Sequence, residues 1–497
     1  MNLIKKIFFA TVVVTSTFSI SCSNLLDIRD TDYIGGDNAL RTVSDNERLL
    51  IAAYAGLQDR TLPITSPETV TDYEMNIRYN GILSDELKTA EFSSLNTMHE
   101  WTFAFDDVGL RGNFMPNVTY YRVIDRVNRV LSALPSAVDE GNADEVRRQV
   151  IRGEALFLRA FSHFELFRYF CKNYDPNGLG MPYLDRPQFN PLERHARVNM
   201  GEYFRGIIND LEESKGLVVD NLKDKARANR ITVSALQARV ALYIRNWDQA
   251  ISYSTEYIDA LPLATRDRFI GIWTDQNTDE VSWQLTRTIA NRFGNFFRSV
   301  SSTSAGQPVL GTISWVPSDK LWNAYDALND VRFDAYFVNE PLLNVTNRYS
   351  KILKKFNGSG YATTNENVAN IKVFRTAEMY LIRAESYAEL GNLANASTDL
   401  DALRFARLLN YNPVSLNSRQ HAIDEILLER FKELALEGHR FWDLKRKSLP
   451  VERLQSDAPQ STSRILPANN FRFVLPIPRW EMEANPLMVQ NEGYASN

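Results

Sequence analysis

Glu429 and Glu433 stand four residues apart on one side of a helical stretch. A carboxylate pair suggests glycoside hydrolysis, which needs two acids opposed across a sugar at a set separation. Neighbours on a single helix are more simply a solvated or ion-paired helix side. The five histidines, His99, His163, His195, His421 and His439, contain no i,i+4 pair and no H-E-x-x-H. No G-x-S-x-G elbow, phosphate loop or dinucleotide glycine pattern occurs either. The stretch 173–182 (N-Y-D-P-N-G-L-G-M-P) places Asp175, Asn177 and Gly178 together, but its spacing and charge fall short of a calcium loop, so a plain turn is expected. His439, beside Gly438, is expected to be a structural hydrogen-bonder. These residues predict no enzyme, no metal and no cofactor.

Binding is better represented. The chain has 21 Tyr, 27 Phe and 8 Trp, more than a core alone demands if some lie in loops. A sugar ring has an apolar face and a rim of hydroxyls, so an aromatic platform with a few polar groups recognises it. Two regions poor in helical periodicity supply candidates: Tyr79, Trp101 and Asn113 in 61–113, and Phe297 and Trp315 in 262–371. Loops of that length in a compact domain are usually functional. The two sets make one site only if the fold brings them together. Trp247, Trp322 and Trp442 fall in helical patterns and are expected in the core, whereas Trp283, in the strand-like run 280–285, is free to face either way.

The N-terminus reads as a targeting segment. Lys5 and Lys6 precede an apolar run, 7–20, that is too short to span a membrane and ends at S-I-S-C. This resembles a bacterial lipobox, with Cys22 the lipidated residue after removal of 1–21. More than one acyl chain anchors stably, because each buried CH₂ contributes about 0.8 kcal/mol. Cys171 is then left without a disulfide partner and is expected to be buried and inert. The formal charge is −5, and removing Lys5 and Lys6 makes the chain more acidic, which argues against a nucleic-acid partner.

The elements that must position the loops are helices. After a leader, 22–43, the periodicity predicts helices over 44–58 (capped by Ser44, with Glu47 closing a capping box), 117–134, 143–170 and 200–215. Two segments resemble each other at an offset of 146 residues. Ala238, Asn246 and Ala250 of A-R-V-A-L-Y-I-R-N-W-D-Q-A meet Ala384, Asn392 and Ala396 of A-E-S-Y-A-E-L-G-N-L-A-N-A. Each reads as a helix, a turn at Asn and a returning helix, in the manner of a tetratricopeptide repeat. A strand is expected over 280–285 and a short helix, capped by Ser318, within 316–333. The run D-E-I-L-L-E-R-F-K-E-L-A-L-E-G-H-R-F-W-D-L-K-R, 424–446, reads as two helices folded back at Gly438, with 375–408 covering their apolar stripe.

Four features in order carry a family resemblance: the lipobox-like Cys22, V-I-R-G-E-A-L-F-L-R-A-F-S-H-F-E-L at 150–166, the hairpin at 375–392, and E-R-F-K-E-L-A-L-E-G-H-R-F-W-D-L-K-R at 429–446 followed by V-L-P-I-P-R-W-E-M-E-A-N-P-L-M-V-Q-N-E-G-Y at 474–494. Together they resemble the SusD/RagB outer-membrane lipoproteins of Bacteroidetes. The resemblance implies an all-α fold of tetratricopeptide-like pairs (near 117–171, 232–260, 375–408 and 422–447) packed against a loop-rich ligand-binding part, in one domain spanning 44–497. It also implies a surface-exposed, lipid-anchored outer-membrane protein that binds a glycan and passes it to a SusC-like TonB-dependent transporter. A protein- or peptide-binding tetratricopeptide scaffold and a surface glycosidase are the alternatives.

Overall fold

The computed structural model describes residues 39–58, 73–90, 97–106, 116–190, 192–293, 300–302, 308–310, 313–345, 348–361, 363, 365–458 and 463–494. Cys22, Asn113 and Phe297 lie outside these residues. The described part is mostly helical. Helix α1 (Val43–Ala55) starts at Thr42, whose hydroxyl accepts from the Asp45 amide while the Asp45 carboxylate accepts from the Thr42 amide. The expected cap at Ser44 is therefore displaced by two residues. The T-x-x-D pairing satisfies two end amides at once, and the Ser44 amide turns instead to the Glu140 carboxylate. Helix α2 (Glu74–Leu83) lies inside a stretch expected to be loop. Helices α3 (Pro116–Ala133), α4 (Asp144–Phe170) and α5 (Met200–Leu217) follow the predicted spans closely. Helices α1 and α3 pack together and on α4, whose other side meets α5. The second half of α4 is buried almost all round, as its apolar run demands.

Both repeat segments fold as helix hairpins. Helix α6 (Arg230–Tyr243) turns at Asn246 into α7 (Trp247–Ala260). After α8 (Arg266–Trp273) and a short helix α9 (Val331–Tyr336), helix α10 (Thr376–Glu389) turns at Asn392 into α11 (Leu393–Arg407). Each Asn caps its returning helix, accepting from the amide three residues on. The alanines aligned in the two segments, Ala238 with Ala384 and Ala250 with Ala396, are fully enclosed, so the paired backbones approach closely. The residue before each Asn is left-handed: Gly391 has φ +79° and its counterpart Arg245 has φ +62°. Helix α7 also packs on α10, which joins the two hairpins into one stack.

The run 424–446 forms α12 (Arg419–Glu433) and α13 (Arg440–Arg446). Ile426, Leu427 and Leu434 are buried with Ala377, Leu381 and Leu403, so the covering elements are α10 and α11 as expected. Gly438 has φ +83°, and a Cβ there would stand 2.9 Å from the Asn76 Cβ and 3.0 Å from its carbonyl oxygen. Gly438→Ala is therefore expected to cost about 2–4 kcal/mol, backbone strain plus a clash with α2. Gly391→Ala meets nothing within 4 Å and should cost only the backbone strain, about 1–2 kcal/mol. Equal denaturation midpoints for the two variants would refute the clash.

Strands are short and paired two by two. β1 (Leu87–Thr89) pairs with β5 (Trp315–Pro317), and β2 (Val281–Leu285) with β8 (Ile371–Arg375). β3 (Val300–Ser302) pairs with β4 (Pro308–Leu310), and β6 (Phe337–Asn339) with β7 (Lys351–Leu353). β2 alternates in sequence, yet all five of its residues are buried, because β2 pairs with β8 and packs against α4 and α6. Trp283 therefore faces inward, packed against Phe157, Phe161 and Phe374. Ser318 caps a helix as expected, but that helix spans only Asp319–Trp322.

Candidate functional site

The loop-rich part rests on a floor of buried aromatics and one buried arginine. β1 and β5 pair Thr89 with Trp315, and the Ala90 amide continues the ladder by donating to the Ser314 carbonyl at 3.0 Å. The His99 ring lies 5.5 Å from that of Trp315. Two residues on, Trp101 adopts φ +51°, which turns its indole inward to donate to the Leu83 carbonyl at 2.9 Å. The Arg453 guanidinium covers the Trp101 ring at 4.0 Å. Its nitrogens donate to the carbonyls of Ser84, His99, Ser463 and Ile82 at 2.6–2.9 Å. One side chain thus ties together α2, the residues after 91–96 and those after 459–462. Burial pulls the Arg453 guanidinium down to about 9, and burial with Arg453 alongside pulls His99 down to about 3, so this histidine is neutral at physiological pH.

A second anchor joins other loop ends. The Arg287 guanidinium donates to the Gln58 and Asn291 carbonyls, and the Phe293 amide donates to Asn367. The described residues just before 59–72, just before 294–299 and just after 364 are thereby linked. Between the floor and the short 319–322 helix, Lys88 pairs with Asp319 at 2.7 Å and lies 4.8 Å from the Tyr349 ring.

The structure brings Trp101 and Trp315 into one neighbourhood, as a shared site requires. It does not leave their faces open. Trp101 is 4% exposed, Trp315 8% and Tyr79 9%, and all three belong to the main core. None presents a ring face for stacking, which corrects their sequence assignment as a platform. They sit where the loop-rich part is rooted, and a loop aromatic cannot be told from a root aromatic by composition. Arg453 was missed altogether, because its role depends on carbonyls about 350–370 residues away in the chain. Trp442 is core as expected, while Trp247 and Trp322 pack half-buried at the core's edge.

The carboxylate pair is not a catalytic site. Glu429 and Glu433 are fully buried among Arg332, Arg404, Arg407 and Arg375. Burial alone would raise the Glu433 carboxyl, but Arg407, Arg375 and Arg332 hold it at about 2. The pair is ion-paired as expected, though in the interior rather than on a solvated face. His439 is also enclosed, and burial beside Arg239 and Arg430 keeps it well below the ordinary histidine range. The Asp175 carboxylate accepts from the Asn177 amide at 3.0 Å, the geometry of a turn. Cys171 is buried, and its thiol is pushed up by that burial.

Comparison with known proteins agrees with the fold. Residues 339–494 match the model of the SusD family, and residues 43–242 match a model described as starch-binding, associating with outer membrane. The SusD-like protein P2 of Formosa agariphila is 24% identical, the match covering 98% of this chain and 99% of that protein. SusD-like protein P38 of the same organism is 23% identical over 93% of this chain and 95% of its own. A SusD superfamily protein from Bacteroides thetaiotaomicron superposes with a TM-score of 0.75 at 22% identity, covering 90% of this chain and 99% of that one. A laminarin-binding SusD-like protein superposes with a TM-score of 0.70 at 22% identity, covering 91% of this chain and all of that one.

Proposed function

Because the chain belongs to the SusD/RagB family, we propose that it is a nutrient-binding lipoprotein of the outer membrane. It is anchored through Cys22, exposed at the cell surface, and captures an oligosaccharide for a SusC-like TonB-dependent transporter. The observation that carries this reading is the rigid floor around Trp101, Trp315 and Arg453, where loop ends from distant parts of the chain are tied to the helix stack. A scaffold of this kind suits binding by loops held on stiff elements. The starch-binding description of the model matching 43–242 and the laminarin-binding neighbour support a glycan ligand. Asn113 and Phe297 are assigned to ligand contact, and Tyr79, Trp101 and Trp315 to the support beneath. No helix among the described residues is long and apolar enough to cross a membrane, so anchorage is assigned to the lipid.

The test is retention on a panel of immobilised polysaccharides. The Cys22→Ala form should leave the membrane fraction and serve as the soluble reagent; if it stays there, the anchor is wrong. At least one glycan should retain it, and Phe297→Ala should weaken that retention about tenfold, equivalent to ~1.4 kcal/mol. Retention by peptides but by no glycan would overturn the ligand class, and turnover of any bound glycan would make the protein an enzyme.

A further inference from the structure

A cavity of about 320 Å³ opens among the helix pairs, remote in sequence from the loop-rich part. Helices α4, α6, α7 and α13 line it, with the end of α10 and the start of α12 at its edge. Its size falls within the range of small-ligand sites. The turn before α7 contributes Arg245, and the end of α13 contributes Lys445, Arg446 and the following Lys447. Glu389 is the one carboxylate in the lining, and it is already bound by Arg419 and Lys447. Arg446 is held by Asp443 and Glu385. Two basic groups remain without a carboxylate among the described residues, Arg245 and Lys445, the latter pulled down to about 7 by its burial. Lys445 is buried, and its Nζ donates to the carbonyls of Arg168 and Cys171 at 2.8 and 2.5 Å. Arg245 is exposed and has no ion pair among the described residues.

Two neutral side chains of the lining add unpaired donors. The Trp442 indole N–H is buried and finds no acceptor among the described residues. The Tyr243 hydroxyl, equally buried, lies beside the Arg168 guanidinium and completes no hydrogen bond with an acceptor there. A buried donor left unpaired costs about 1–3 kcal/mol, so an occupant rich in acceptors is favoured. Tyr174 and Trp247, both half-buried, add aromatic surface at the rim. Arg245 is the most telling residue. It adopts φ +62° at the position filled by Gly391 in the matching hairpin. An arginine there is strained where a glycine is not.

We propose that this cavity is a second ligand site and that it takes an acidic sugar, a hexuronate alone or at the end of an oligosaccharide. The carboxylate accepts from Trp442 and faces Lys445 and Arg245. The ring packs on Trp247 and Tyr174. This site is independent of the loop-rich part, so it stands or falls separately from the function proposed above.

The test is calorimetric titration of the soluble chain with glucuronic acid, glucose and sulfate. Glucuronic acid should bind, and glucose should bind at least tenfold more weakly. Arg245→Gly removes the cation and the strain together, so it should fold at least as well as the parent while losing about tenfold in glucuronate affinity. Trp247→Ala should weaken glucuronate and leave any sulfate binding unchanged. Retention on the neutral polysaccharide panel should be the same in both variants. Absence of glucuronate binding overturns the proposal. So does binding that neither variant affects, which would place the sugar elsewhere. Sulfate binding as tightly as glucuronate, with no effect of Trp247→Ala, would make the cavity an inorganic-anion site and overturn the sugar assignment.

Discussion

Glu433→Ala is expected to cost about 3–5 kcal/mol, a large part of the stability of an ordinary domain. The carboxylate accepts from three arginines brought from three elements. Arg332 Nη1 lies 3.1 Å from one oxygen, Arg407 Nε 3.1 Å from the same one, and Arg375 Nη1 3.0 Å from the other. Arg375 and Arg407 also share Glu280, at 2.6 and 2.8 Å. Arg332, Arg375, Arg407, Glu280 and Glu433 are each at most 1% exposed. Removing one carboxylate leaves buried guanidinium groups without their countercharge, in a place water cannot reach. Glu425→Ala is the control. Glu425 pairs with Arg404 at 2.7 Å near the solvent end of the same network and is 24% exposed at its side chain, so its loss should cost ~1 kcal/mol or less. Denaturant midpoints for the two variants decide the matter: a Glu433→Ala shift no larger than that of Glu425→Ala would mean the network contributes nothing to holding α12 in place.

That network also marks where sequence reading stops. The stripe of Ile426, Leu427 and Leu434 and its cover by α10 and α11 are legible, because apolar spacing of 3–4 residues has one explanation. The Asn turns at 246 and 392 are legible for a similar reason: a capping residue between two runs of small side chains is a local signal. Glu429 and Glu433 read as surface because charged residues usually are. Their arginines stand 25 to 101 residues away, and nothing local announces a pairing at that range. Helix α2 was hidden by its own burial. All but one of its residues are enclosed, polar Glu74, Asn76 and Asn80 included, so it has no solvent face and no period to detect. The site suffered from the same limit. Tryptophan in a polar stretch signals either a ligand platform or the root of a loop, and for Trp101 and Trp315 burial decides for the root. What was legible was which parts of the chain are scaffold and which are loop. What was not legible was which side of a loop aromatic faces the protein.

The interior histidines predict acid sensitivity well above the carboxylate range. Burial holds His99 and His163 at about 3, and His439 well below its usual value. His163 is enclosed with the Tyr203 hydroxyl 3.1 Å from Nδ1 and the Tyr183 ring stacked at 4.1 Å. In the unfolded chain each histidine titrates near ~6.5. Below that pH the unfolded chain takes up protons that the folded chain refuses, so stability falls as pH falls, and the loss continues down to about 3. Glu86 acts in the opposite sense. Burial raises it to about 8, so between its unfolded value and 8 the folded chain keeps a proton the unfolded chain has lost. Glu154 and Asp399, raised by burial, pull the same way. Between pH 6 and pH 5 each histidine kept neutral contributes a loss of about 1 kcal/mol, against which these buried carboxyls act. Once the pH is low enough for unfolded carboxylates to protonate, Glu86 no longer opposes the histidines. The depressed Glu433 and Asp443 then add to the loss. His163→Gln should therefore flatten the fall of stability with pH, read from denaturant midpoints below pH 6, by about 1.4 kcal/mol per pH unit. An unchanged slope in His163→Gln would mean this ring is not held neutral in the interior.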